Sequence, residues 1–484
     1  MSEPASKRVL LVHPLGYNKD HAGGDISRRA NIMPPLGLAS IVAYLEQKGI
    51  GADIIDCFAH PDSDSKIVAR IGEARPGLLG LSCTTSGYLD AIRIATMAKE
   101  KYPWIKTVFG GPHISALREK ILAGDGVVDY AVIGEGEETL TELVNLDGGD
   151  PGSIAGLVYR DREGLVRFSG FRKSAITLDD LPFPAYEKLE GYPHAYTLPL
   201  FNYPRTPNAS CISSRGCPYA CSYCDRSVFR RSFRFNSAEY MYRHLQYLKE
   251  RFGVRHINFY DDLFTFNPKR VEAFCRMMID QPLGMTFNCA VRAETVNPDL
   301  LKLMKAAGCW MISLGIETGD EQLLKRHRQN VDLDVMARTI RDIKKAGIRV
   351  KGLLMMGLPG ESEETIKNSM NYVFSLPIDD FNLAKFTPFP GSPLYEHIHE
   401  LGEFDESIAD MDCMHFVFVP AGMTRERLEE LFIKFYKTHF KRPAVLWGYV
   451  TMIWRSPDSW RRFLGSLTNF IRFARSNKRI AGSK

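Results

Sequence analysis

Ser213-Ser214-Arg215-Gly216-Cys217-Pro218-Tyr219-Ala220-Cys221-Ser222-Tyr223-Cys224 places three cysteines in one short loop, with the spacing C-x3-C-x2-C. Cysteine thiolate is the usual ligand of iron–sulfur clusters, which normally take four. Three thiolates from one loop wrap one face of a compact cluster and leave one iron open to a non-protein ligand. A zinc site is the alternative reading. It needs a fourth ligand nearby, and Cys211 is close enough in sequence to supply one. Cys57, Cys83, Cys275, Cys289 and Cys309 lie in or beside apolar segments and read as core residues. Cys413 carries no clear signal.

The loop follows a short strand pattern at residues 209–213, and similar patterns recur near 256–259, 286–290, 311–316, 349–356 and 380–386 with helical stretches between them. Six such βα repeats, within residues 207–425, predict a partial TIM-type barrel open on one side, with functional residues at the carboxyl ends of its strands. Residues 1–150 show the same alternation, with strands near 8–13, 52–57, 77–83, 107–110 and 130–133. Alternating strands and helices imply parallel pairing through right-handed crossovers, hence a doubly wound α/β sheet. A ligand of such a sheet sits beyond the carboxyl ends of its strands. The loops there are His13-Pro14-Leu15-Gly16, residues 82–87, Gly110-Gly111-Pro112-His113 and Gly134-Glu135-Gly136-Glu137. Residues 151–206 read as a hairpin near 156–170 and a proline-rich linker, and residues 426–484 as a basic, aromatic-rich helical tail.

At 484 residues the chain exceeds one ordinary core and calls for two or three domains. Its 45% apolar and 25% charged residues are those of a globular protein, and a net charge of +5 does not by itself argue for nucleic acid. The apolar run 9–12 is too short for a signal peptide, and no stretch approaches the ~20 apolar residues of a membrane span. A cytoplasmic location is expected, where thiols stay reduced.

The motif C-x3-C-x-aromatic-C at the end of a first barrel strand resembles the signature of the radical S-adenosylmethionine (SAM) superfamily, over residues 209–425. The resemblance implies a 4Fe–4S cluster on Cys217, Cys221 and Cys224 whose open iron is chelated by SAM, and reductive cleavage of SAM to methionine and a 5′-deoxyadenosyl radical. Several other residues match the family's SAM-binding positions. Tyr223 is the aromatic residue of the motif; Asp261 and Asp262 follow the second strand, where SAM's amino end is met. Arg292 ends the third strand and faces SAM's carboxylate or a ribose hydroxyl, Glu317 ends the fourth at the ribose position, and Met355 and Gly357 lie on the adenine side. An exposed ion pair is the plainer reading for each charged residue alone.

The first sheet, joined to such a barrel, resembles the cobalamin-binding domain of one large radical SAM subfamily. The resemblance implies cobalamin contacts at His13, Ser82, Thr84, Gly110, Gly111, His113, Gly134 and Gly136, with the glycines admitting a close approach of backbone to ligand. The Asp-x-His-x-x-Gly motif that ligates cobalt in many cobalamin domains is missing, since Asp20-His21-Ala22-Gly23 has the wrong spacing. A sheet that has kept the shape without cobalamin is the alternative, and His13 and His113 read equally well as loop histidines with hydrogen-bonding roles. No G-x-G-x-x-G follows the first strand, which disfavours dinucleotide binding.

Residues 441–484 hold ten Lys and Arg against Asp458 alone, interleaved with aromatic residues. Such a segment caps a barrel with a solvated face or lies in a membrane interface, and nucleic acid is a weaker third option. The expected activity is cobalamin-dependent methyl transfer to an unactivated carbon of a small or lipid-like substrate, fed by an electron donor such as flavodoxin or ferredoxin. Relatives also suggest oxidation or cyclisation of a porphyrin-like substrate, as in anaerobic magnesium-protoporphyrin monomethyl ester cyclases. A non-catalytic iron–sulfur or zinc protein is the rival from another class. A tRNA-modifying enzyme is another, although no RNA-binding module is recognisable.

Overall fold

Val9-Leu10-Leu11-Val12 is buried along its whole length, as a strand covered on both faces must be. It forms the middle of β1 (Ser6–His13), the strand around which the first sheet is built. The computed structural model describes residues 6–16, 31–124, 126–173 and 176–465. The Asp20–Gly23 segment and residues 466–484 of the tail lie outside the described residues.

β2 (Gly51–Asp56) and β3 (Pro76–Ser82) pair in parallel on either side of β1, and β4 (Lys106–Gly110) and β5 (Tyr130–Val132) continue beyond β3. The order β2-β1-β3-β4-β5 reverses at β1, which opens a ligand crevice outside the carboxyl ends of β1 and β3. The hairpin read at 156–170 forms β6 (Leu157–Arg160) and β7 (Val166–Phe168), and it extends this same sheet antiparallel from β5. Separate apolar clusters cover the two faces of the sheet, one around Phe109 and Ile94, the other around Val42 and Leu157.

β8 (Asn208–Cys211) leads into the cysteine loop. The short antiparallel pair β9 (Ser214–Arg215) and β10 (Arg234–Phe235) closes that loop at its base. β11 (His256–Phe259), β12 (Thr286–Val291), β13 (Cys309–Glu317), β14 (Arg349–Met356) and β15 (Asp380–Lys385) complete a six-stranded, all-parallel sheet in the order β15-β14-β13-β12-β11-β8. It is the curled, open half-barrel that six βα repeats predict. Its core gathers Phe259, Phe274, Phe287, Ile312 and Val350.

The helices follow from the same local rules. In Leu333–Lys345, Met336, Ile340 and Ile343 fall on one buried face. Asp332 caps the start by accepting the Asp334 and Val335 amides, and Gly347, at φ +75°, turns the chain after the last turn. Burying Ile340 and Ile343 stabilises the packing by about 1.5–3 kcal/mol each. The described part of the tail is helical, as read: Arg425–Phe440, then Pro443–Arg455 and Pro457–Gly465, the last two opened by proline where its missing N–H costs nothing. No helix among the described residues is long and apolar enough to cross a membrane.

Candidate functional site

The carboxyl ends of both sheets face each other across one cavity of about 810 Å³. The barrel side contributes Cys217, Cys221, Tyr223, Cys224, Asp262, Arg292 and Glu317, and the first domain contributes Ser82, Thr84, Gly111, Gly134 and Gly136. Twelve of the residues singled out from sequence thus share one space, near the upper end of the range for cofactor pockets.

Two backbone features shape the cysteine loop. Gly216 sits at φ +85°, and a Cβ there would overlap the carbonyl oxygen of Ser232, so the residue ahead of Cys217 has to be glycine. Asp261 fixes the chain entering the loop, accepting the Ser213 amide at 2.7 Å and the Ser213 and Ser214 hydroxyls at 2.6 and 2.7 Å. Arg270 lies 3.7 Å from the same carboxylate. Asp261 is therefore buried under the loop and does not line the cavity, whereas the adjacent Asp262 does. Enclosure, with Asp261 adding to it, raises the Asp262 carboxyl above the usual carboxylate range.

The donor set fits a cluster. All three cysteines are free thiols on the cavity wall. Burial pushes the Cys224 thiol up to about 12 and that of Cys217 upward, so they ionise against a strongly positive partner such as a metal centre. Among the described residues no three His, Cys, Asp or Glu side chains close on one point, as a single-ion zinc site requires. Cluster thiolates bind separate irons and need not converge. Cys211, the fourth zinc ligand considered from sequence, is buried away from the cavity with its Sγ 3.2 Å from His244 Nδ1, and His244 Nε2 is 3.0 Å from the Tyr186 hydroxyl.

Arg292 and Glu317 form a polar wall beside the cysteine loop. The Arg292 guanidinium lies 3.7 Å from the centroid of the Tyr219 ring, pairs with Glu294 and donates to the Gln329 carbonyl at 2.8 Å. Glu317 holds φ +63°, an uncommon conformation for a side chain of its size. Burial raises its pKa, opposed by Arg328 at 3.8 Å. Met355 packs instead with Tyr223 on the apolar cluster around Leu358 and Phe386, and the Gly357 amide donates to Glu361; neither residue lines the cavity.

On the other side, Gly111 sits at φ +102°, and a Cβ would come 2.7 Å from the Cys83 carbonyl oxygen. Gly134, at φ +86°, approaches the Val228 carbonyl of the cysteine loop. Gly110 ends β4 and its carbonyl accepts the Cys83 amide at 2.7 Å. His13 and His113 stand behind the wall. His13 Nδ1 is 2.8 Å from Asp56, and the buried His113 is 3.3 Å from Thr85 with its pKa lowered to about 4 by burial.

Arg215 escaped the reading from sequence, although it lies two residues before Cys217. It donates to Glu135 at 2.5 Å, to Glu137 at 2.7 Å and to Ser40 at 3.1 Å, and Arg234 also pairs with Glu135. Burial alone would raise the Glu137 carboxyl, but the Arg215 guanidinium holds it below its usual value. The two glutamates alternate with the glycines of the loop after β5, so that loop both bounds the cavity and ties one domain to the other. Arg328, which donates to the Gly315 carbonyl, is a second cavity residue that sequence reading missed.

Comparison with known proteins agrees with this arrangement. Residues 211–373 match the radical SAM superfamily and residues 24–144 match the B12 binding domain. An uncharacterised methyltransferase of Pyrococcus horikoshii is 29% identical over 85% of this chain and 89% of its own length. The anaerobic magnesium-protoporphyrin IX monomethyl ester cyclase of Rubrivivax gelatinosus is 28% identical over 91% of this chain and 78% of its own. Among solved structures, the radical SAM methyltransferase TsrM of Kitasatospora setae, with cobalamin and a [4Fe-4S] cluster bound, superposes with a TM-score of 0.65 over 82% of this chain and 78% of its own, a likeness of fold at 18% identity. The chain is a radical SAM enzyme carrying a B12-binding domain ahead of its radical SAM domain, with a 4Fe–4S cluster, SAM and cobalamin as its cofactors.

Proposed function

We propose that the protein transfers a methyl group from SAM to an unactivated carbon of a small or lipid-like molecule, with cobalamin as the carrier. The observation that supports this reading is the single cavity. Three cluster cysteines and the loops of the B12-binding sheet open onto the same space, so one substrate reaches both cofactors. When bound, the cluster with SAM supplies one-electron hydrogen abstraction and cobalamin supplies methyl carriage.

The chain's own residues hold and orient. Cys217, Cys221 and Cys224 hold the cluster on a loop set by Gly216 and Asp261. Asp262 meets SAM's amino end, and Arg292, Glu317 and Tyr223 its carboxylate and ribose side, all from the cavity wall. Ser82, Thr84, Gly111, Gly134 and Gly136 receive cobalamin. Arg215 keeps the two sets in register by binding Glu135 and Glu137. The electron comes from a flavodoxin- or ferredoxin-type donor.

The Pyrococcus horikoshii relative is named a methyltransferase and is matched over more of its own length than the cyclase, which favours methylation over oxidation. Methyl-labelled SAM added to reduced, cobalamin-loaded protein separates them. Methyl transfer produces S-adenosylhomocysteine, whereas a cyclase releases only 5′-deoxyadenosine and methionine. Release of the latter pair alone would overturn the proposal.

A further inference from the structure

A second cavity, of about 640 Å³, lies at the opposite end of the barrel, where the strands begin. Thr286 opens β12, Arg349 opens β14, and Arg255 and Trp310 stand at the starts of β11 and β13. Helices Pro443–Arg455 and Pro457–Gly465 form its outer edge through Trp454, Arg455, Pro457 and Asp458. Five cations line it, Arg205, Arg255, Lys305, Arg349 and Arg455, against Asp458 alone. That one carboxylate is already engaged, accepting the Thr206 hydroxyl at 2.7 Å and its amide at 3.0 Å.

Among the described residues Arg205, Arg255, Lys305 and Arg455 have no ion-pair partner. Arg349 is only 6% exposed. One nitrogen contacts Met452 Sδ at 3.2 Å, the guanidinium lies 5.1 Å from the centroid of the Trp310 ring, and its Nε has no hydrogen-bond partner. A buried guanidinium with an open donor on a cavity wall is costly unless an anion completes it. Clustered cations without counter-charges raise that cost further, and a phosphate-type anion matches their charge and their guanidinium donors.

Continuous with this pocket is an apolar surface. On helix Pro443–Arg455 the residues Leu446, Trp447, Val450, Ile453 and Trp454 recur at helical spacing, yet they point outward. Trp447 is 67% exposed and Trp454 72%. Trp454 belongs both to this stripe and to the lining of the basic pocket, so the two features form one face. Lys441 and Arg455, at the two ends of this helical segment, and Arg461 on the next helix are also exposed. A tryptophan-bearing apolar stripe flanked along the chain by exposed cations has the chemistry of a surface that enters the headgroup region of an anionic bilayer.

We propose that this face docks the enzyme on an anionic phospholipid surface, with a lipid phosphate in the pocket at Arg349 and the stripe from Leu446 to Trp454 in the interface. The active cavity opens at the other end of the barrel, so docking anchors the enzyme and does not itself deliver a lipid to the cofactors. The inference stands independently of the reaction proposed above.

Full-length holoprotein is sedimented with phosphatidylcholine vesicles, with and without phosphatidylglycerol. Recovery in the pellet is expected only with phosphatidylglycerol, and it falls with added salt. Trp447→Ala/Trp454→Ala changes only exposed side chains, and Arg255→Gln/Lys305→Gln removes two cations; unaltered thermal melts confirm folding. Removing one cation near an anionic surface lowers partition by about fivefold, so the latter pair is expected to partition roughly 25-fold more weakly. Equal recovery with both vesicle types, or variants that partition as the parent does, overturns the proposal. So does binding of inorganic phosphate without sedimentation, which makes the pocket a free-phosphate site. A stripe-dependent dimer in light scattering without vesicle binding also refutes it, and assigns the face to a second copy of the chain.

Discussion

Replacing Arg215 by Gln removes the cation that binds both glutamates of the B12-binding loop to the cysteine loop. Glu135 keeps Arg234, so it remains compensated, but Glu137, buried and 2.7 Å from Arg215, is left with the Ser40 hydroxyl at 2.9 Å and its own backbone amide. Breaking a buried pair from one side costs about 3–5 kcal/mol. The small exposure of Arg215 and the surviving Ser40 bond place the expected loss at the lower end, about 3 kcal/mol at neutral pH. The loss depends on pH. With Arg215 present, the Glu137 pKa lies below its ordinary value, so its contribution is present at neutral pH and fades as pH falls through the native value. Without Arg215, burial, the largest influence, is opposed only by the Ser40 and backbone hydrogen bonds, and the pKa rises. The contribution is then complete at low pH and lost as pH climbs past the unfolded value of about 4.3. The deficit of the variant therefore grows from acid to neutral pH. Urea unfolding of the apoprotein at about pH 4.5 and pH 7.5 measures it. Arg215→Gln/Glu137→Gln, which replaces the charged pair by a neutral one, recovers most of the loss. A deficit that is the same at both pH values, or a double variant no better than the single, refutes the reasoning.

Alanine at Cys217, Cys221 or Cys224 is expected to abolish cluster iron in anaerobically reconstituted protein, while Cys211→Ala retains it because that sulfur faces His244. Gly111→Ala drives a Cβ against the Cys83 carbonyl and is expected to lower bound cobalt at least tenfold, about 1.4 kcal/mol of strain being enough, with iron content unchanged. Burial pushes the Glu361 carboxyl up to about 8, so its contribution to stability is complete below its unfolded pKa and is lost as pH rises through about 8. Glu361→Gln flattens that part of the thermal-melt profile between acid and mildly alkaline pH.

Much of this architecture is legible in local pattern. The βα alternation sets both sheets, because strand and helix periods differ and each repeat buries its own apolar residues. The cysteine loop is legible because its ligands lie within eight residues. The choice between Asp261 and Asp262 is not, since no periodicity operates in the irregular segment after β11 to say which carboxylate turns under the loop. Arg215 is adjacent to the motif, but its partners Glu135 and Glu137 lie about eighty residues earlier, and no composition rule couples them. His113 and His13 are readable as loop residues at strand ends, yet side-chain direction decides whether such a residue meets the cavity or the wall behind it.

The two ends of the barrel carry charge in opposite ways, and the contrast bears on what each end does. At the strand ends Arg292 is engaged by Glu294 and the Gln329 carbonyl, Arg328 by Gly315 and Glu317, and Arg215 by both glutamates. Groups already satisfied keep their positions when a cofactor arrives, which is what preorganised chemistry requires. At the strand starts Arg205, Arg255, Lys305 and Arg455 line one cavity, with Asp458 engaged by Thr206 and Arg461. Mutual repulsion among like charges with low-dielectric walls is relieved by an outside anion. A fold that fixes Arg215, Arg292 and Arg328 at the strand ends and leaves the cations at the far end without ion pairs is arranged to hold its cofactors rigidly while exchanging an anionic partner elsewhere.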